Sequence, residues 1–107
     1  MADNFAFHSD LIETSHRVGV EFVITDLHLA MTFVRRAQTT QDERTALRNR
    51  ENARKAYDTA IRLLQKLRPT EKQRVGIGQQ LKTLRESLQG LGDVFPAGAE
   101  QEEAGRT

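Results

Sequence analysis

Val18-Gly-Val-Glu-Phe-Val-Ile-Thr-Asp-Leu-His-Leu-Ala-Met-Thr-Phe-Val34 repeats apolar residues every three or four positions, the spacing of a helix with a buried face. Extended back to Leu11 and projected at ~100° per residue, the stretch spreads Leu11, Val18, Val20, Phe22, Val23, Ile24, Leu27, Leu29, Ala30, Met31, Phe33 and Val34 over about two thirds of the circumference. An arc that wide exceeds what one neighbouring helix covers. The helix is therefore expected either to lie against two others of its own chain or to lend part of its surface to a second copy. Glu21, Asp26 and His28 interrupt the run, and such groups are costly in hydrocarbon, which argues against a membrane-spanning segment.

Outward from this stretch, three boxes with helix-starting chemistry divide the chain: Asp10-x-x-Glu13, Thr40-x-x-Glu43 and Thr70-x-x-Gln73. In each, the first side chain can accept an orphan amide of the first turn while the fourth reaches back. The boxes predict helix one from Ser9 or Asp10 to about Gln38 and helix two from about Gln41 to about Leu67, ended by Pro69. Helix three is expected to begin at Thr70, or after Gly78 if Gly76 and Gly78 interrupt it, and to stop at Gly90 and Gly92. The short polar link after Ala37 folds helix two back on helix one. The expected fold is all-α, an antiparallel three-helix bundle with long first and second helices. Residues 1–92 form the single domain, and 93–107 an acidic, mostly disordered tail in which Val94 and Phe95 dock before it frays.

Composition sets limits on function. The 107 residues contain no cysteine, which removes disulfides and thiolate metal sites and is compatible with a reducing, cytoplasmic setting. The first residues lack the basic and apolar regions of a secretory signal. Net charge is only +1, but it is unevenly spread. Residues 1–34 set Arg17 against five acids, residues 35–85 set fourteen Lys and Arg against five acids, and residues 86–107 set Arg106 against five acids. A basic middle between acidic ends suits nucleic acid, an acidic partner, or helices that neutralise one another.

Two constellations stand out. Asp26 projects into the apolar arc, and a hairpin pivoting near Thr40 sets it level with residue 54. Arg50, Arg54 and the Tyr57 hydroxyl are thus the expected partners of a buried polar pair, either fixing helix register or lining a small polar pocket. On helix two, Ala46, Ala53, Ala60 and Leu67 recur every seven residues, with Arg50, Tyr57 and Leu64 between them, as the inward stripe. Opposite lie Arg44, Arg48, Lys55, Arg62 and Lys66 in one line of about 33 Å, long enough to track a phosphate backbone. Glu51 and Asp58 at i,i+4 spacing to Lys55 and Arg62 favour a solvated face instead.

Catalytic and metal chemistry find little footing. Glu13-x-x-His16 has the spacing of a di-iron bundle motif, but two such motifs are required and only one occurs. Gly76-Ile-Gly78 lacks the third glycine and preceding strand of a dinucleotide loop, and reads as a bend or close contact near Ala60. Arg48-Asn49 resembles the opening of the signature of HEPN ribonucleases, yet Arg54 stands where the histidine is needed. No enzyme activity, cofactor or metal is expected.

Ala56-Tyr-Asp-Thr-Ala-Ile-Arg-Leu-Leu-Gln-Lys-Leu67 resembles the second helix of a tetratricopeptide repeat and is similar to helices of MIT-type three-helix modules. The segment from Asn52 to Thr59 also resembles short bacterial helical proteins that supply no activity to carry over. The tetratricopeptide resemblance implies a scaffold for binding proteins. The expected role is noncatalytic protein–protein interaction, with Val20, Ile24, Leu27 and Met31 as contact face and a second copy as the simplest partner. Alternatively helix three covers that face. The other expected class is a nucleic-acid accessory protein that uses the basic line.

Overall fold

The computed structural model describes residues 2–96, with side chains from Leu11 onward. Three helices follow in order: α1 (Ala2–Thr39), α2 (Glu43–Leu64) and α3 (Glu71–Gly90). They form the antiparallel three-helix bundle that the apolar spacing predicts, with α1 and α2 the longer pair. None of the described helices is long and apolar enough to cross a membrane.

The three boxes fare differently. Thr70 caps α3 with both bonds of its box: the Gln73 amide donates to Thr70 Oγ1 at 3.1 Å, and the Thr70 amide donates to Gln73 Oε1 at 2.9 Å. At α2 the cap sits two residues further along than Thr40. Asp42 accepts from the Arg44 amide at 3.3 Å and from the Thr45 hydroxyl at 2.6 Å, while Thr40 Oγ1 takes the Asp42 amide. A carboxylate at the last extended residue serves the helix N-terminus better than a hydroxyl further out. Asp10 is no helix start, because α1 is already helical from Ala2. At the other end α2 stops at Leu64, short of Leu67. Gly76 and Gly78 do not interrupt α3. A Cβ at either position meets nothing within 4 Å, so neither marks a bend or a close approach. The chain leaves α3 through Gly92, whose φ of +96° suits glycine.

The core is built from Val20, Val23, Leu27, Ala30 and Val34 of α1, Ala53, Ala56, Tyr57 and Ala60 of α2, and Ile77, Leu81, Leu84 and Leu88 of α3. The alanines of α2 are buried as the sevenfold spacing predicts, apart from Ala46, which is half-buried. Two contacts fix the register. The Cβ position of Gly19 lies 2.6 Å from Leu67 Cδ2, and Gln80 Nε2 lies 2.7 Å from His28 Nε2. Thus α2 and its exit turn end level with Gly19, and α3 runs alongside the second half of α1. The turns of α1 before His16, exposed at every residue from Leu11 to Ser15, project past the bundle.

Candidate interaction surface

Helix α1 is apolar on two opposite faces. The core face holds Val20, Val23, Leu27, Ala30 and Val34. Roughly opposite, by the ~100° projection, Leu11, Val18, Phe22 and Leu29 are 50, 56, 54 and 47% exposed. Ser15 and Thr25 complete this outer stripe at four- and three-residue steps, so that the stripe runs Leu11, Ser15, Val18, Phe22, Thr25, Leu29. All six are exposed, and none is charged. The wide arc read from the sequence is thus two stripes, one covered by the chain's own helices and one bare.

That division corrects the expected contact face. Val20 and Leu27 are each 1% exposed, and Ile24 and Met31 pack against the core partly buried. The second and third helices together enclose this side of α1, so these four residues present no open face. The residues of α1 left uncovered are Leu11, Val18, Phe22 and Leu29, on the other side of the helix.

The expected polar pair is also rearranged. Asp26 is half-buried at the rim of the core and makes no hydrogen bond or ion pair with Arg50 or Arg54. Retaining contact with water, it needs no buried cation. Arg54 instead pairs with Asp58 on its own helix at 3.1 Å and with Asp93 beyond α3 at 3.3 Å. It also donates to the Val94 carbonyl at 2.8 Å, and its guanidinium lies over the Phe95 ring. Partial burial of Arg54 works against its charge, but the two carboxylates outweigh it and raise its pKa. Arg50 donates to the Leu91 carbonyl at 3.1 Å, and the buried Tyr57 ring meets Phe95 edge-on at 5.1 Å. Residues 91–95 are thereby strapped across α2. Of the two residues expected to dock, Phe95 does so, whereas the Val94 side chain is 80% exposed and only its carbonyl is held, by Arg54; the rest of the expected tail, residues 97–107, lies outside the described residues.

Beside the strap, Arg50, Glu51, Arg54, Lys55 and Asp93 line a shallow open depression of about 240 Å³. Its cations are partly consumed by the strap, and it has no enclosed wall against which to hold a ligand. Among the described residues no three His, Asp or Glu side chains come together to hold a metal. Of the expected basic line, Arg44, Arg48, Lys55 and Arg62 lie on α2 and Lys66 lies in the turn beyond its end, and all five are exposed. Asp58 turns to Arg54 and not to Arg62, and none of the five joins an ion pair among the described residues.

The outer stripe carried a signal in the sequence. Its four-three alternation is the spacing found in coiled-coil seams, distinguishable from the core face once the two are separated on the helical projection. In the strap only the docking of apolar Phe95 was signalled; its pairing of Arg54 with Asp93 was not, since contacts across some forty residues leave no periodic trace. Comparison of the chain with family models, with curated proteins and with solved structures gave no match.

Proposed function

We propose that this chain is a noncatalytic helical interaction module that docks another protein helix on the outer stripe of α1. The observation that carries the reading is the bare row of Leu11, Val18, Phe22 and Leu29 on a helix whose opposite side is already buried. Single exposed apolar side chains are ordinary, but a continuous uncharged row along one helix marks an association surface. The resemblance of residues 56–67 to a tetratricopeptide helix supports a scaffold role, and the cysteine-free composition suits a cytoplasmic setting. The test is a photo-reactive residue placed at Phe22 in cells, with Val75 of α3 as an exposed apolar control. Covalent adducts at position 22 and none at 75 are expected. Absence of any adduct at position 22 overturns the reading.

A second reading is favoured by Arg44, Arg48, Lys55 and Arg62 of α2 and Lys66 just beyond it, all exposed and in no ion pair among the described residues, a set suited to a phosphate backbone. It predicts retardation of mixed-sequence nucleic acid at low salt, lost steeply as salt rises and weakened in Arg48→Gln/Lys55→Gln. Unchanged mobility at low salt removes it.

A further inference from the structure

We infer that the occupant of the outer stripe is a second copy of this chain, with the two α1 helices packed antiparallel. The inference rests on the reading of that stripe as a docking face. Its argument is the order of residues along the seam, which reads alike from both ends: Leu, hydroxyl, Val, then Phe, hydroxyl, Leu. Folded over a two-fold axis between Val18 and Phe22, the stripe sets Leu11 opposite Leu29, Ser15 opposite Thr25 and Val18 opposite Phe22, each layer occurring twice. Every apolar residue then meets an apolar residue and every hydroxyl a hydroxyl, as a self-complementary isologous interface requires. Sliding one copy by a heptad destroys the match, because it sets Phe22 against Thr25 and Leu11 against Arg36, or Val18 against Ser15.

Charge decides the direction. A parallel pair also stacks identical residues, but it brings Glu21 of each copy toward Asp26 of the other and places the two Arg36 side chains side by side at the end of the seam. The antiparallel pair sets Glu21 of each copy about seven residues away from Asp26 of the other and parts the two Arg36 side chains to opposite ends of the seam. It also opposes the two helix dipoles. Its one repulsive contact is Glu21 with its own counterpart near the axis. The projecting turns before His16 supply the reach, since Leu11 stands beyond the end of α2 and is free to lie over the middle of the other bundle. Four half-exposed apolar side chains give a patch of under about 400 Å² per copy, so the pair stays below the roughly 1,000 Å² of a specific stable interface and in the range of transient contacts. The dimer is therefore weak and reversible.

Sedimentation of the full chain from low to high micromolar concentration tests this, together with cysteine trapping in a protein that has no cysteine of its own. Expected are a concentration-dependent dimer, a dissociation constant raised at least about tenfold by Phe22→Lys, and no change with Val75→Lys. Glu21→Gln tightens the dimer. A mixture of Ser15→Cys and Thr25→Cys chains forms the mixed disulfide, while neither variant links to itself. A monomer at every concentration, or Ser15→Cys linking to itself, overturns the inference. If Phe22→Lys does not fold, the cysteine variants, altered only at exposed hydroxyls, still test the same geometry. Photo-adducts at position 22 to a different protein, with the purified chain monomeric, overturn the self-pairing and leave the docking reading standing.

Discussion

The guanidinium of Arg54 lies 3.9 Å from the centroid of the Phe95 ring while the same side chain bonds the carbonyl of Val94, so one residue of α2 grips two consecutive residues of the C-terminal strap. The planar fork of arginine is what allows this, since an ammonium group cannot stack on the ring and bond Asp58, Asp93 and a carbonyl together. Arg54→Lys is expected to loosen residues 93–95 and to cost about 1 kcal/mol, discounted because the side chain is a quarter exposed. Phe95→Ala removes the edge-on partner of Tyr57 and costs about 1–2 kcal/mol. Tyr57 is the only tyrosine and the chain has no tryptophan, so near-ultraviolet circular dichroism reads its environment directly.

Acid should weaken the start of α2. The Thr45 hydroxyl and the Arg44 amide both donate to the Asp42 carboxylate and hold its pKa below the ordinary value of 3.8. Depression in the folded state means that the contribution is complete above the unfolded pKa and is lost as pH falls through the folded one. Asp42→Asn keeps a cap but loses the titration. The melting temperature of the natural chain should approach that of Asp42→Asn as pH drops below 3.8, with the gap restored near neutrality.

Gly19 of α1 should respond less favourably to alanine than Gly76 and Gly78 of α3. At Gly76 and Gly78 a Cβ enters open space, so each Gly→Ala change should raise stability by up to about 1 kcal/mol through helix propensity alone. At Gly19 the new Cβ meets Leu67 Cδ2 at 2.6 Å, and Leu67 must move aside. Gly19→Ala should gain less than either change in α3, and the deficit should vanish in a Leu67→Ala background. Urea denaturation of the single and double variants measures it.

Ala53 is fully buried where α2 meets the other helices, and its size sets how closely they approach. Ala53→Leu should cost about 1–3 kcal/mol by overpacking. The exposed Val75→Ala should stay within about 0.5 kcal/mol of the natural chain, as calorimetry would show.

What the sequence disclosed follows the range of each interaction. Helical spacing is local, so α1, α2 and α3 were legible from Val18–Val34, from the alanine repeat and from the Leu81, Leu84, Leu88 row. The Thr70 box was readable because its four residues complete one another. The start of α2 was misjudged by two residues because Thr40 and Asp42 are both good caps and only the backbone distinguishes them. Projection treated all apolar residues of α1 as one arc, since no local rule says which part α2 and α3 will cover. Asp26 was assigned Arg54 because register arithmetic knows nothing of Asp93, which arrives from the far end of the chain.

Along a single uninterrupted helix, the turns after Gly19 are flanked by two companions while the turn at Leu11 to Ser15 is exposed on every side. Isolated helical turns of that length are marginal in water. Amide hydrogens there should trade with deuterium far sooner than those beside α2, and that gradient should flatten when the bare row is occupied. The leading segment is thus a built-in reporter of whether the molecule is by itself.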